Sequence, residues 1–338
     1  MKFGKRPVRE ALGTILAHSI KASRSAEEIG TPYRIPKGTE LTRRHLEDLI
    51  AVGHEVVTVA EIEAEDVQEN EAALFLARAL VPDEARQRVR ISDAGAGRVN
   101  LYADCCGITC LDVACIEALN AVDPMITIAT VPPWYRVDEG GMIATIKIIS
   151  YAVASELLQA AAQKGGEAVK VLPPVFRTAT LIETQVNEEM PSNKGRRAMA
   201  GRLHRMGLEL TSRQIVPHRE EDLSAALQKA PGEVLLVLTG SATSDARDVA
   251  PEALHLAGGR ITRFGMPVDP GNLLFLGNLG EKPVIGLPGC ARSPALNGAD
   301  WVLERVLCGL DLTGGDIAAM GVGGLLKEIP TRPMPRDS

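Results

Sequence analysis

The chain has 338 residues, enough for two domains that each bury a core. With 45% hydrophobic and 24% charged residues it has a globular composition, which excludes disorder over most of its length. A net charge of -6 leaves no basic field for a nucleic-acid backbone or an anionic membrane surface, so an anionic ligand must be held by local geometry. The opening stretch, MKFGKRPVREALGTILAHSIKA, has a short apolar part interrupted by Arg9, Glu10 and His18, and does not read as a signal peptide. No run approaches the ~20 apolar residues of a membrane span. The expectation is a soluble cytoplasmic protein with no nucleic-acid or membrane partner.

In the first half, TRRHLEDLIAVGHEVVTVAEI predicts a helix ended by Gly53 and then a β-branched strand from Glu55 to Ile62. NEAALFLARALV predicts a second helix. After the loop DAGAG, the segments GRVNLYAD, DPMITIATVPP and GMIATIKIISYAV predict strands separated by turns, and SELLQAAAQKGG a helix. Residues 1–172 therefore read as an α/β or α+β domain with no motif that carries chemistry. Four of the six cysteines, Cys105, Cys106, Cys110 and Cys115, crowd into DCCGITCLDVAC, which lacks a CxxC pair and a nearby His; they read as small buried hydrophobes rather than a metal site. Sparse cysteine elsewhere suits a reducing compartment.

The prolines of VLPPVF, Pro173 and Pro174, mark the expected boundary, with a second domain over 173–328 and a flexible tail over 329–338. Beyond the boundary the rhythm is regular. TATLIETQV predicts a strand, NKGRRAMAGRLHRMG a helix stopped by Gly207, LELTSRQIV a strand, REEDLSAALQKA a helix and GEVLLVLTG an apolar strand buried on both faces. KPVIGLPG predicts the last strand, leading into a helix over SPALNGADWVLERVLCG, with Ser293 as its cap and Pro294 as its first residue. Alternating strands and helices with short links predict a three-layer αβα domain on a mainly parallel sheet.

In such a sheet the ligand sits beyond the carboxyl ends of the strands. Two loops reach that edge, Thr239 to Asp248 and Leu287 to Pro294, and both lead into predicted helices, whose free N–H groups bind phosphate without a basic surface. Gly240 lets the backbone approach a ligand, and Thr239, Ser241, Thr243 and Ser244 supply hydroxyls. Asp248 suits a hydrogen-bonding ring or, with Asp245, a divalent cation; the alternative is that Asp245 and Asp248 merely cap a helix and the hydroxyls satisfy a turn.

The stretch TGSATSDARDVAPEA resembles the signature TGGTGxxxRDVTPEA of the molybdopterin-binding domain family of molybdenum-cofactor biosynthesis proteins, the MogA, MoaB, MoeA and gephyrin type. GMPVDPGN followed by KPVIGLPGCARSP, and NKGRRAMAGRLHRMGLELTSRQIVPHREEDLSAAL, are similar to two further patterns of the family, so the resemblance spans roughly residues 175 to 310. It implies an αβα domain that binds molybdopterin, a phosphorylated pyranopterin. Gly240, Ser241, Thr243 and Asp248 would line the pterin side, with Pro288, Gly289 and Ser293 bordering the pocket. On their own chemistry, Arg247 and Arg292 are either phosphate partners or ordinary exposed arginines.

The departures from the family pattern matter as much. GGTG has become GSAT, the aspartate of one loop is His218, TGDEL reads IETQV with Glu183 as the nearest carboxylate, and PGNP has become PGCA. His218 either replaces the lost carboxylate as a proton-transfer group or is an ordinary loop residue. Cys290 is either a reactive thiol at a helix start or an inert small side chain. Loss of carboxylates favours a binding role: a carrier or presenting module for molybdopterin or the molybdenum cofactor, homo-oligomeric as a dimer or trimer, partnered by another cofactor-biosynthesis enzyme or a molybdoenzyme. The alternative is an enzyme, a molybdopterin adenylyltransferase or molybdenum insertase, using Asp245, Asp248 and His218 with Mg. Further alternatives are a nucleotide-binding domain of the competence-damage type and a relic with a closed pocket.

Overall fold

The run Val234–Leu238 is buried at every position, as a strand covered on both faces must be. Its neighbours in the computed structural model, which describes residues 1–24 and 32–326, are also strands, and their side chains divide between two cores. Leu181, Leu236 and Ile285 point into one core with Met199, Leu203, Val302 and Leu303. Ile182, Leu235, Val237 and Val284 point into the other with Leu223, Leu227, Ala253 and Leu254. Alternation along each strand therefore feeds helices on both faces, which makes the three-layer αβα arrangement. The sequence expectation for this fold holds.

The chain divides into two units. The second comprises residues 105–108, 134–139 and those from 172 onward. Its elements are β1 (Thr178–Gln185), α1 (Lys194–Arg205), β2 (Glu209–Leu210), β3 (Gln214–Pro217), α2 (Glu220–Lys229), β4 (Val234–Leu238), α3 (Val249–Leu256), β5 (Arg260–Phe264), β6 (Phe275–Leu279), β7 (Lys282–Gly286), α4 (Gly298–Leu307) and α5 (Gly314–Ala318). The sheet runs β2-β1-β4-β7-β6-β5, with β3 also paired to β1. Strands β1, β2, β3, β4 and β7 are parallel, while β6 runs antiparallel to both its neighbours, β7 and the edge strand β5. From β1 the chain crosses to β3 on one side and then, through α2, to β4 on the other. That reversal opens a crevice beyond the carboxyl ends of β1 and β4, the usual place for a ligand in this architecture.

Two local expectations need correction. LELTSRQIV is two short strands broken after Leu210: the Thr211 N–H still donates to the Ala179 carbonyl at 2.9 Å, the Thr211 hydroxyl lies 2.9 Å from that of Thr180, and Arg213 Nε donates to Glu183 at 2.7 Å. The last long helix starts at Gly298, not at Pro294. Asn297 is its cap, accepting from Ala299 N–H, and Asp300 returns a bond to the Asn297 N–H at 2.8 Å. This reciprocal box outcompetes the Ser-Pro signal.

The first unit is α+β, the second of the two classes left open by the sequence. Strands Ile126–Thr130, Met142–Ile148, Arg98–Ala103 and Val89–Ile91 form an antiparallel sheet in that order. Helices Glu69–Leu80 and Ser155–Gly165 bury Leu76, Leu80 and Leu158. A second antiparallel sheet joins Lys2–Pro7, Val56–Glu61 and Ile15–Leu16. The cysteines of DCCGITCLDVAC are half-buried rather than buried. Cys308 is the buried one, and burial pushes its thiol up to about 12. The expected tail over 329–338 lies outside the described residues. Among the described residues no helix is long and apolar enough to cross a membrane.

Candidate functional site

Four loops meet the carboxyl edge of the second unit's sheet, and hydrogen bonds tie three of them together. Thr184, near the end of β1 and only 1% exposed, accepts the Gly240 N–H at 2.8 Å and lies 2.8 Å from His218 Nδ1. The His218 N–H donates to the Gln185 carbonyl at 2.8 Å. His218 is therefore a strut between the loops after β1 and β3. Gly240 is required here by proximity: a Cβ on it would stand 2.7 Å from the Thr184 carbonyl oxygen and 3.3 Å from the Val186 nitrogen. Gly240→Ala is expected to displace the loop, destabilise the unit by about 1–3 kcal/mol and weaken ligand binding, measured by denaturant unfolding and calorimetry.

The loop after β4 largely satisfies itself. Thr239 Oγ1 donates to the Ser241 carbonyl at 2.5 Å and lies 3.3 Å from Thr243 Oγ1; both threonines are buried. Asp248 caps α3, with one carboxylate oxygen accepting Val249 N–H at 2.8 Å and the other Ser244 N–H at 3.0 Å. The exposed Asp245 accepts the backbone N–H and the Nε–H of Arg247, which hold its carboxyl below the usual carboxylate range. Arg247 is therefore turned onto Asp245 and does not line the cleft. The buried Glu183 is consumed by the partly exposed Arg213. Among the described residues no three His, Cys, Asp or Glu side chains gather as a metal would need.

A cleft of about 640 Å³ at this edge is lined by Lys194, Arg197 and Ala198 of α1 and by Gly289, Cys290, Arg292, Ser293 and Pro294. Of the predicted residues, Gly289, Cys290, Arg292 and Ser293 are brought together here. Pro288 precedes them at the start of the short turn Gly289–Arg292. Arg292 Nη2 donates to the Thr239 carbonyl at 2.5 Å, linking this cleft to the loop after β4. Gly195 permits the approach of α1, since a Cβ there would meet a Leu238 methyl at 2.5 Å and Arg292 Cγ at 3.3 Å. Lys194 and Arg197 were missed in the sequence. Their signal was present in NKGRR: cations in the first turn of a helix oppose its dipole, and that turn has no acidic residue. Three cations around amide-rich backbone, in a chain of net charge -6, suit a compact anion.

The model of one family, described as "Probable molybdopterin binding domain", matches residues 179–307. The second unit carries a domain of this family. The match runs from β1 to the end of α4, so it includes the two cleft-lining cations of α1, Lys194 and Arg197, and the whole of the Arg292 loop. Among solved structures, the chain is similar to the molybdopterin biosynthesis MoeA protein from Pyrococcus horikosii, with 13% identity over 91% of this chain and 75% of that one and a TM-score of 0.31. It is also similar to a molybdenum cofactor biosynthesis protein B, with 18% identity over 39% of this chain and 88% of that one and a TM-score of 0.27. No curated protein matches it.

Proposed function

We propose that the second unit binds molybdopterin or the molybdenum cofactor and carries or presents it to another protein of cofactor biosynthesis or to a molybdoenzyme. The observation that carries this reading is the cleft in which Lys194, Arg197 and Arg292 converge within a domain of the molybdopterin-binding family. Its volume suits a small phosphorylated heterocycle. The phosphate would lie against the three cations and the turn at Gly289. The pterin would extend along Gly240, Ser241 and Ser244, to which Arg292 connects through Thr239. Holding is favoured over phosphoryl transfer because the nearby carboxylates are already engaged: Glu183 by Arg213, Asp245 by Arg247, and Asp248 by two backbone amides.

The test is binding of purified molybdopterin under anaerobic conditions, by calorimetry, to the full chain and two variants. Asp248→Ala removes the cap of α3 and is expected to cost about 1 kcal/mol of stability and to weaken binding by loosening the loop. Asp248→Ser restores a capping oxygen and is expected to recover both. Recovery of stability without recovery of affinity would instead place the Asp248 carboxylate against the ligand. Absence of binding by the folded wild-type chain would sink the carrier reading.

A further inference from the structure

Arg202, in the third turn of α1, is only 4% exposed, and a cation at that depth is costly unless its donors are met. Here the whole guanidinium is engaged. Nε donates to Asp300 Oδ1, and Nη2 lies 3.4 Å from Asp300 Oδ2. Nη1 donates to the Ala291 carbonyl at 3.0 Å, while Nη2 donates to the Ser293 carbonyl at 2.9 Å and the Ala295 carbonyl at 3.0 Å. Three carbonyls of one short loop thus converge on one side chain, and its counter-ion Asp300 also closes the capping box of α4.

This arrangement decides which way the loop faces. In a trans peptide the C=O and N–H point in opposite directions. Drawing the Ala291 and Ala295 carbonyls toward Arg202 therefore turns the N–H groups of Arg292 and Leu296 away from it. Ser293 is followed by Pro294, which has no N–H to turn. Carbonyl oxygens that would repel an anion are withdrawn toward the core, while Gly289, Cys290, Arg292, Ser293 and Pro294 form the cleft wall. Arg202 does not itself line that wall.

We infer that Arg202 and Asp300 form a buried clamp that positions the 289–295 loop, with Arg292 and its outward amides, to receive a tetrahedral oxyanion. The inference rests on the anion-binding reading of the cleft. Arg202 is a positioning residue, acting through the loop rather than on the ligand.

The test uses the full chain and inorganic phosphate as the probe. Arg202→Lys keeps the charge and one bond to Asp300 but cannot serve three carbonyls. It is expected to weaken phosphate binding by roughly ten- to a hundredfold, the range in which outer supporting groups act on a bound partner, and to speed amide hydrogen exchange across 289–296. Unfolding followed by tryptophan fluorescence should remain cooperative. The double variant Arg202→Gln with Asp300→Asn leaves no stranded ion in the core, and is expected to lose phosphate affinity equally; it decides the question if the lysine variant does not fold. Arg197→Ala removes a cleft cation without touching the clamp, and should weaken phosphate binding with loop exchange unchanged. Folded clamp variants that bind phosphate like wild type, while Arg197→Ala does not, overturn the clamp and keep the cleft. A wild-type chain that binds no phosphate overturns the cleft reading and the clamp's role together.

Discussion

Arg197→Glu is expected to weaken ligand binding strongly while making the second unit slightly more stable. The side chain is exposed in the first turn of α1 and has no hydrogen-bond or ion-pair partner among the described residues. Its positive charge there opposes the helix dipole, so replacing it with a carboxylate should stabilise the helix by about 0.3–1 kcal/mol. For an anion in the cleft the sign reverses, because an attraction becomes a repulsion. Even in the screened environment of a protein surface the reversal should weaken binding roughly a hundredfold, about 2.7 kcal/mol. The two expected effects oppose each other, which separates them from general damage. Both tryptophans, Trp134 and Trp301, belong to the second unit, so their fluorescence follows that unit alone during unfolding. Molybdopterin affinity measured alongside should fall, and wild-type affinity should weaken as salt is raised, since the Debye length is about 10 Å at 0.1 M. Unchanged affinity in the folded variant would remove this cleft from consideration.

The parts of the second unit legible in the sequence were those governed by local periodicity. Val234–Leu238 announces a two-sided strand because each of its residues is apolar, and the 3.6-residue spacing of Met199, Leu203 and Met206 announces a helix that buries one face. Where long-range contacts decide, the sequence said less. Thr211 and Arg213 have strand-compatible neighbours, yet the side chains they meet, Thr180 and Glu183, belong to a strand far earlier in the chain, and the strand breaks between Leu210 and Gln214. Ser293–Pro294 carries a sound helix-start signal, but the segment's carbonyls are drawn to Arg202, and the helix waits for Asn297. In the site, the Gly289 to Ser293 loop was visible from its composition and its resemblance to a family pattern. Whether the hydroxyls of the loop after β4 meet a ligand or satisfy a turn was open in the sequence; the Thr239 hydroxyl donates to that loop's own backbone and lies against the Thr243 hydroxyl.

Glu304 should make the second unit lose stability as pH rises through a range in which most carboxylates are already ionised. It lies on α4 with its side chain 12% exposed, and burial together with the Asp300 carboxylate one turn earlier pushes it up to about 7. Arg136, whose Nε stands 3.7 Å away, and Arg205 and Arg202 pull in the other direction without cancelling the shift. Arg305 on the same helix and Cys308 at its C-cap also interact with it. Below pH about 4.5 the group is protonated whether the chain is folded or unfolded, and it imposes no penalty. Between about 4.5 and about 7 the unfolded chain ionises it while the folded chain keeps the proton, so the folded state loses ground; above about 7 the loss is complete. The shift corresponds to about 3 kcal/mol. Glu304→Gln replaces the carboxyl by a neutral group of the same shape, and Arg136 keeps its bond to Asp138. The variant should therefore match wild type at pH 4 and exceed it by about 3 kcal/mol at pH 8, measured by denaturant unfolding with tryptophan fluorescence as the probe. All other titrating groups are common to both chains, so their contributions drop out of the difference. A difference between the chains that stays constant from pH 4 to pH 8 would mean that Glu304 titrates as an ordinary solvated carboxylate.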